Sequence, residues 1–310
     1  WDGEVPFETV TMRFIADSTT KALALENGEI HVAENINAPT EVEKFKADDT
    51  IHVSETAGMR TGYAYINFQG VLANDDLRAA VLMALDNDTM CNTIVGGMYQ
   101  PGFSILSSAL AYGYDQLENP YAYDVDGAVA RLDQAGIVDS NGDGIRELDG
   151  APIILTYLVY ANRSLPDLVE AISIQLAQIG IQVDVQLWDY DTLINLQTAG
   201  EFDLSASNMN TVAVGDPQEF LGNWYSSNSS SYGFYSNPEY DALYAQLTET
   251  LDNDQRTALI VQLQQILIDD GAALVHGYYT SRMFSRTEDV VGAEISVADY
   301  YWITTNMKQP

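Results

Sequence analysis

Between Pro152 and Ser207 the apolar residues switch in turn between continuous, helical and alternating spacing, and few architectures accommodate that order. Ile153 to Val159 is a nearly unbroken apolar run, as expected of a strand covered on both faces. Leu165, Leu168, Val169, Ile172, Leu176 and Ile179 then form one helical stripe, and Gly180 supplies the stop. Ile181, Val183, Val185 and Leu187 alternate with Gln182, Asp184 and Gln186, the two-residue period of a strand. A helix over about 191–198 and a third strand over 202–206 complete a right-handed strand, helix, strand, helix, strand unit. The fold class is therefore α/β.

The flanking chain carries the same two kinds of element. Residues 9–15 read as a strand and 19–27 as a short helix ended by Gly28. The run 60–68 is aromatic and β-prone, and Asp75 or Asp76 can cap a helix carrying Leu77, Val81, Leu82 and Leu85. Leu259, Ile260, Leu263, Ile266 and Leu267 mark a late helix, followed by a strand over 274–284 that returns to the first part. If 60–68 and 274–284 both cross between two lobes, the middle of the chain forms one lobe and its two ends meet in the other. Ligands of open α/β sheets sit outside the carboxyl ends of the strands, which here would face the cleft between lobes.

Charge narrows the function. The 310 residues carry 13 basic and 45 acidic side chains, a formal net charge of -32, although charged residues make up only 19% of the chain. The acidity comes from a shortage of Lys and Arg in a chain that is 46% hydrophobic, unlike a disordered acidic tail. Such a surface repels phosphate backbones and anionic headgroups, which disfavours nucleic-acid and membrane-surface roles. No apolar run approaches the roughly 18 residues of a membrane span. The opening residues, Trp1-Asp2-Gly3-Glu4, lack the basic and apolar regions of a signal peptide.

Catalytic constellations are missing from the sequence: no glycine-rich phosphate loop, Gly-x-Ser-x-Gly elbow, His-Glu-x-x-His or Cys-x-x-Cys occurs. The single cysteine, Cys91, lies in an apolar stretch and reads as core packing, with His31, His52 and His276 all remote in sequence. Acidic pairs such as Asp48-Asp49, Asp75-Asp76 and Asp269-Asp270 are expected by chance among so many carboxylates. The run Asp139-Ser-Asn141-Gly-Asp143-Gly144 matches the first half of a calcium loop, but Gly150 stands where the bidentate Glu belongs. It is either a polar β-turn or a weak surface calcium site.

Two segments have cleft-edge positions. Residues 207–217 follow the third strand and offer small and amide side chains, suited either to a ligand wall or to an ordinary loop. Arg60, at the start of a crossing strand, and Arg163, between a strand end and a helix start, are either anchors for a ligand carboxylate or partners in structural salt bridges.

Several phrases together resemble the extracellular solute-binding proteins of family 5, the dipeptide, oligopeptide and nickel-chelate receptors of ABC importers. Lys21-Ala-Leu-Ala-Leu-Glu-Asn-Gly-Glu-Ile30 is similar to a family phrase, with His31 where Asp is usual. Gly58 to Asn67 resembles the strand crossing between lobes, and Asp76-Leu-Arg-Ala-Ala-Val-Leu-Met-Ala-Leu-Asp86 the family's most recognisable helix. Gly215-Asp-Pro217 and Tyr235-Ser-Asn-Pro-Glu-Tyr-Asp-Ala-Leu243 complete the order.

The resemblance implies a two-lobe α/β receptor of the periplasmic-binding-protein type. Residues 70–278 would form lobe two, and 1–69 with 279–310 what is present of lobe one. Trp1 resembles a Trp midway through family members, so the chain would be the carboxyl-terminal portion of a receptor. The preceding part would carry the signal peptide and any lipid-anchor Cys, the only tie to a membrane. The implied role is capture of peptides or peptide-like solutes outside the cytoplasm for an ABC permease, without a cofactor or catalysis. A nickel or other metal chelate is the alternative ligand, bound without direct metal ligands from the protein, and a secreted hydrolase is the alternative of another class. Peptide receptors of the family hold the ligand ammonium with an Asp at the position that is Ala213 here; Asp216 is the nearby carboxylate that could replace it. The expected site has Arg60 as anion anchor and Arg163 as a second anchor. Asn208, Asn210 and Thr211 would hydrogen-bond the ligand, and Ala213 and Gly215 would leave it room.

Overall fold

The computed structural model describes residues 6–298 and 303–310. Trp1 lies outside them. The strands are β1 (Val32–Glu34), β2 (Ile51–Ile66), β3 (Tyr99–Gln100), β4 (Glu147–Leu148), β5 (Ala151–Pro152), β6 (Ile154–Val159), β7 (Gln182–Leu187), β8 (Leu204–Asn210) and β9 (Ala273–Arg286). The helices are α1 (Ser18–Glu26), α2 (Pro39–Lys46), α3 (Asp75–Met83), α4 (Asn87–Thr89), α5 (Val125–Gln134), α6 (Leu165–Gln178), α7 (Tyr190–Ala199), α8 (Gln218–Leu221), α9 (Pro238–Glu249) and α10 (Asn253–Asp269).

Among the described residues, one seven-stranded sheet in the order β1-β9-β2-β8-β6-β7, with β3 beside β9, organises the fold. The unit read from 152–207 is present. β6 pairs in parallel with β7, from Ile154 against Gln182 to Val159 against Leu187, and with β8 at Tyr157 and Leu158. Helix α6 buries Leu165, Leu168, Val169, Ile172 and Leu176 in the same cluster as Leu155, Tyr157 and Val159 of β6. Fully burying side chains of this size is worth about 1.5–3 kcal/mol each, which explains why the stripe holds its face to the sheet.

The two expected crossing strands are antiparallel neighbours and longer than the pattern indicated. β2 and β9 run together from Ile51 against Arg286 to Tyr65 against Ala273, with register shifts at 57–61 and at Gly62 and Tyr63. The second shift leaves His276 as the extra residue of β9, next to Gly277 at φ +139°. A Cβ at Gly277 would stand 2.6 Å from the Gln100 carbonyl oxygen, so the bulge depends on glycine.

Two local expectations are corrected. Residues 9–15 form no strand; Val10, Met12 and Phe14 are 50%, 63% and 96% exposed, and among the described residues no strand pairs with them. Alternation specifies a strand only where a neighbour accepts its backbone groups. The cap of α3 is Asn74, whose Oδ1 accepts the Leu77 amide at 2.9 Å, one residue before the Asp pair.

Candidate functional site

A cavity of about 540 Å³ opens where β6 and β7 end. Tyr160, Ala161, Asn162 and Arg163 follow the last residue of β6; Trp188, Asp189 and Tyr190 follow the last of β7; Asn208 of β8 closes the wall. The backbone is strained where it presents the arginine. Arg163 and Ser164 have φ of +43° and +53°, left-handed values that cost non-glycine residues about 1–2 kcal/mol each. A buried relay holds them: Asn208 Nδ2 donates to Tyr99 Oη at 2.9 Å, and Tyr99 Oη donates to the Arg163 carbonyl at 2.8 Å. Gly62, opposite Asn208 in the register, makes room, since a Cβ there would lie 2.7 Å from Tyr99 Cε1.

The cavity is lined by three aromatic rings, with Arg163 and Asp189 as its charged residues and Arg60 nearby. The Arg163 guanidinium lies over the Tyr279 ring at 5.4 Å, and Arg60 Nη1 donates to the Asn208 carbonyl at 3.4 Å. Burial, with Tyr190 adding, pushes the Tyr160 hydroxyl above its ordinary pKa, while Arg163 and Arg60 oppose that shift. Lys21 Nζ donates to the Glu34 and Asn35 carbonyls at 3.0 and 3.3 Å; burial lowers its pKa, Glu34 opposes, and Arg163 lowers it further. Tyr160 and Tyr190 pack edge to face at 5.2 Å, and Trp188 and Tyr190 remain 42% and 56% exposed at the rim. Asp189, the carboxylate of the wall, caps α7 by accepting the Thr192 amide at 3.0 Å and hydroxyl at 2.6 Å. Those bonds hold its pKa below the usual carboxylate value.

Of the residues expected from sequence, Arg163 and Asn208 line this cavity and Arg60 contacts Asn208. Asn210 and Thr211 have bonds within the fold. Asn210 Nδ2 donates to the Ala298 carbonyl at 3.1 Å while its Oδ1 accepts the Val212 amide at 3.1 Å; Thr211 donates from both its amide and Oγ1 to the Met59 carbonyl, each at 2.9 Å. Ala213 and Gly215 lie exposed in the turn after β8, with Gly215 at φ +86°. Asp216 is paired with Arg256 through Nη2 at 2.8 Å and Nε at 3.1 Å. Lys21, Tyr160, Trp188 and Tyr190 are not among the residues expected from sequence. For the three aromatics a signal existed, since each stands within three residues of an expected strand end.

Elsewhere, Cys91 Sγ lies 3.3 Å from the His276 backbone carbonyl, and burial pushes its thiol pKa up to about 12, as suits core packing. The carboxylates of Asp139, Asp143 and Glu147 gather within 4.8 Å. Asp139 accepts the Gly142 and Gly144 amides at 2.6 and 2.8 Å, and Glu147 accepts the Ser140 amide at 2.8 Å. That is the hydrogen bonding of a closed polar turn.

An open mixed sheet with a polar, aromatic cavity at the carboxyl ends of its parallel strands defines an α/β protein of the periplasmic-binding type. The profile "Bacterial extracellular solute-binding proteins, family 5 Middle" matches residues 1–232, and the chain belongs to this family. It is 26% identical over 299 residues to the "Probable D,D-dipeptide-binding periplasmic protein DdpA" of Escherichia coli (strain K12), covering 94% of this chain and 55% of that protein. The solved structure of NikA from Brucella suis in complex with Fe(III)-EDTA superposes with a TM-score of 0.89 at 21% identity, over 100% of this chain and 64% of that one. The oligopeptide-binding protein AppA of Bacillus subtilis in complex with a nonapeptide gives 0.82 at 20% identity, over 96% and 59%. The chain thus spans about half the length of the curated relatives it matches.

Proposed function

We propose that the chain is part of the solute-binding component of an ABC importer, working outside the cytoplasm and taking peptides or peptide-like solutes. Residues 70–278 would act as one lobe, and residues 1–69 with 279–310 would contribute to the other. The observation that carries this reading is the cavity at the ends of β6 and β7, where Arg163, Asn208 and three aromatic rings meet. Guanidinium groups of Arg163 and Arg60 suit the carboxylate end of a peptide, and the rings suit its apolar side chains. The DdpA relative is named for dipeptide binding, and the AppA structure holds a nonapeptide. Closure of the lobes would complete the site, and a permease would receive the solute. No helix of the described residues is long and apolar enough to cross a membrane.

A metal chelate is the second reading, favoured by Arg163 on the cavity wall and by an alanine at position 213, where the peptide receptors that the chain resembles carry an ammonium-binding carboxylate. Calorimetry on the intact protein with free-acid peptides, the same peptides amidated at the carboxyl end, and metal chelates separates the readings. Arg163→Ala should weaken binding of the free-acid peptide by about 10- to 150-fold, the equivalent of losing one charge-assisted hydrogen bond, and should leave the amidated peptide unchanged. Equal affinity for free-acid and amidated peptides, with chelates bound tightly, transfers the site to the chelate reading. Turnover of a peptide or glycoside panel would replace both with the hydrolase.

A further inference from the structure

A second cavity, of about 350 Å³, shares no residue with the first. It lies among the end of α3, the start of α4, the loops around residues 101–103 and 114–123, the end of α10 and the start of β9. Its charged lining groups are the carboxylates of Asp86 and Asp88, with no Lys, Arg or His among the lining residues. Phe103, Tyr114, Tyr121 and Tyr123 line it together with Leu85 and Val275. We propose that this cavity binds a small organic cation, an alkylammonium or quaternary ammonium group.

The chemistry of the wall selects the sign of the charge. Asn87 donates its Nδ2 protons to the Gly102 and Val275 carbonyls, at 2.9 and 3.2 Å, and Tyr121 Oη donates to the Asp269 carbonyl at 2.6 Å. The donors of these two side chains are therefore used within the fold. Ring faces carry negative potential and attract cations, best those with a weakly hydrated surface. Phe103 and Tyr114 pack with centroids 4.8 Å apart and planes tilted by 46°, a corner of two ring surfaces. A bare metal ion is the wrong occupant. Asp86 already accepts the Thr89 amide at 2.9 Å and hydroxyl at 2.7 Å, and a hard cation needs several oxygen ligands. Asp86 still contributes its charge, and Asp88 stands exposed on the lining. The volume equals roughly a dozen waters, enough for a choline-sized group.

Methyl-resolved NMR on the intact protein tests the assignment, with choline as probe and 3,3-dimethyl-1-butanol as its neutral isostere. Choline should shift the methyls of Leu82, Leu85, Ile268 and Val275 saturably, binding at least about three- to tenfold more tightly than the alcohol. Asp88→Asn should remove most of that preference without changing the affinity for the alcohol. Asp184→Asn on β7, a control for the general acidity of the protein, should leave it intact. Equal binding of the two probes would reduce the cavity to an apolar pocket and overturn the proposal. The absence of a saturable shift at these methyls would overturn it too, as would equal weakening of choline by the two Asp variants.

Discussion

Asn208 and Arg60 show how single residues shape the candidate site. Asn208 is 6% exposed and is joined to both arginines, to Arg163 through Tyr99 and to Arg60 directly at its own carbonyl. Tyr99→Phe removes the hydroxyl that joins Asn208 to the Arg163 carbonyl, so affinity for an anionic ligand should fall about tenfold. A calorimetric titration alongside the wild type checks this, and unchanged affinity would show that the relay does not position Arg163. His276 makes a prediction of another kind. Its ring is fully buried, Nε2 lies 2.6 Å from Tyr157 Oη, and burial lowers its pKa from 6.5 to about 3. Between those two values the unfolded chain binds the proton and the folded one does not. Stability from this group is therefore full above about pH 6.5 and declines as pH falls toward 3, by on the order of 1 kcal/mol per pH unit. Denaturant unfolding of wild type and His276→Gln between pH 7 and 4 should show a shallower decline in the variant; parallel curves would remove His276 as the cause.

At the scale of the element, helix starts and strand crossings decide the architecture. Asn74 caps α3 with its side chain, whereas Asp75 and Asp76 pair with Arg78 and Arg131 from exposed or half-exposed positions. Asn74→Ala should cost about 1 kcal/mol of unfolding free energy and Asp76→Ala less than about 0.5 kcal/mol, as read by urea denaturation. The reverse order would return the cap to the Asp pair. Gly277→Ala should destabilise more than either, because a side chain at φ +139° would also press on the Gln100 carbonyl. The sequence pattern marks nearly all of β9 but only the aromatic half of β2. The first half of β2 mixes apolar residues with exposed polar ones, as His52 and Glu55 illustrate, and carries no aromatic run.

For the molecule as a body the dominant quantity is a net charge of -32. Self-repulsion of this size opposes compaction, and salt screens it over about 10 Å at 0.1 M. The melting temperature should therefore rise between low and moderate NaCl, before any specific effect of the ions; a flat or falling curve would mean that local ion pairs outweigh the repulsion. The same field slows the approach of an anionic ligand, so Arg60, Arg163 and Lys21 matter as a local exception to it.

The order of residues was enough to specify the α/β class, the parallel unit of β6, β7 and β8, the neighbouring β2 and β9, and, through a series of short phrases, the family. Those features depend on period and on residues close in the chain, where the side chain's own preference decides the outcome. It was not enough at 9–15, because alternation cannot supply a pairing partner. Nor did it separate Arg163 and Asn208, which line the cavity, from Asn210, Thr211 and Asp216, whose polar groups bond to Ala298, Val212, Met59 and Arg256. Those partners lie from 2 to 152 residues away, and residues near in sequence carry the same amide, hydroxyl and carboxylate groups. Whether such a group faces a ligand or the fold is settled by the tertiary register, since a buried polar atom takes whichever partner the packed chain brings within about 3 Å.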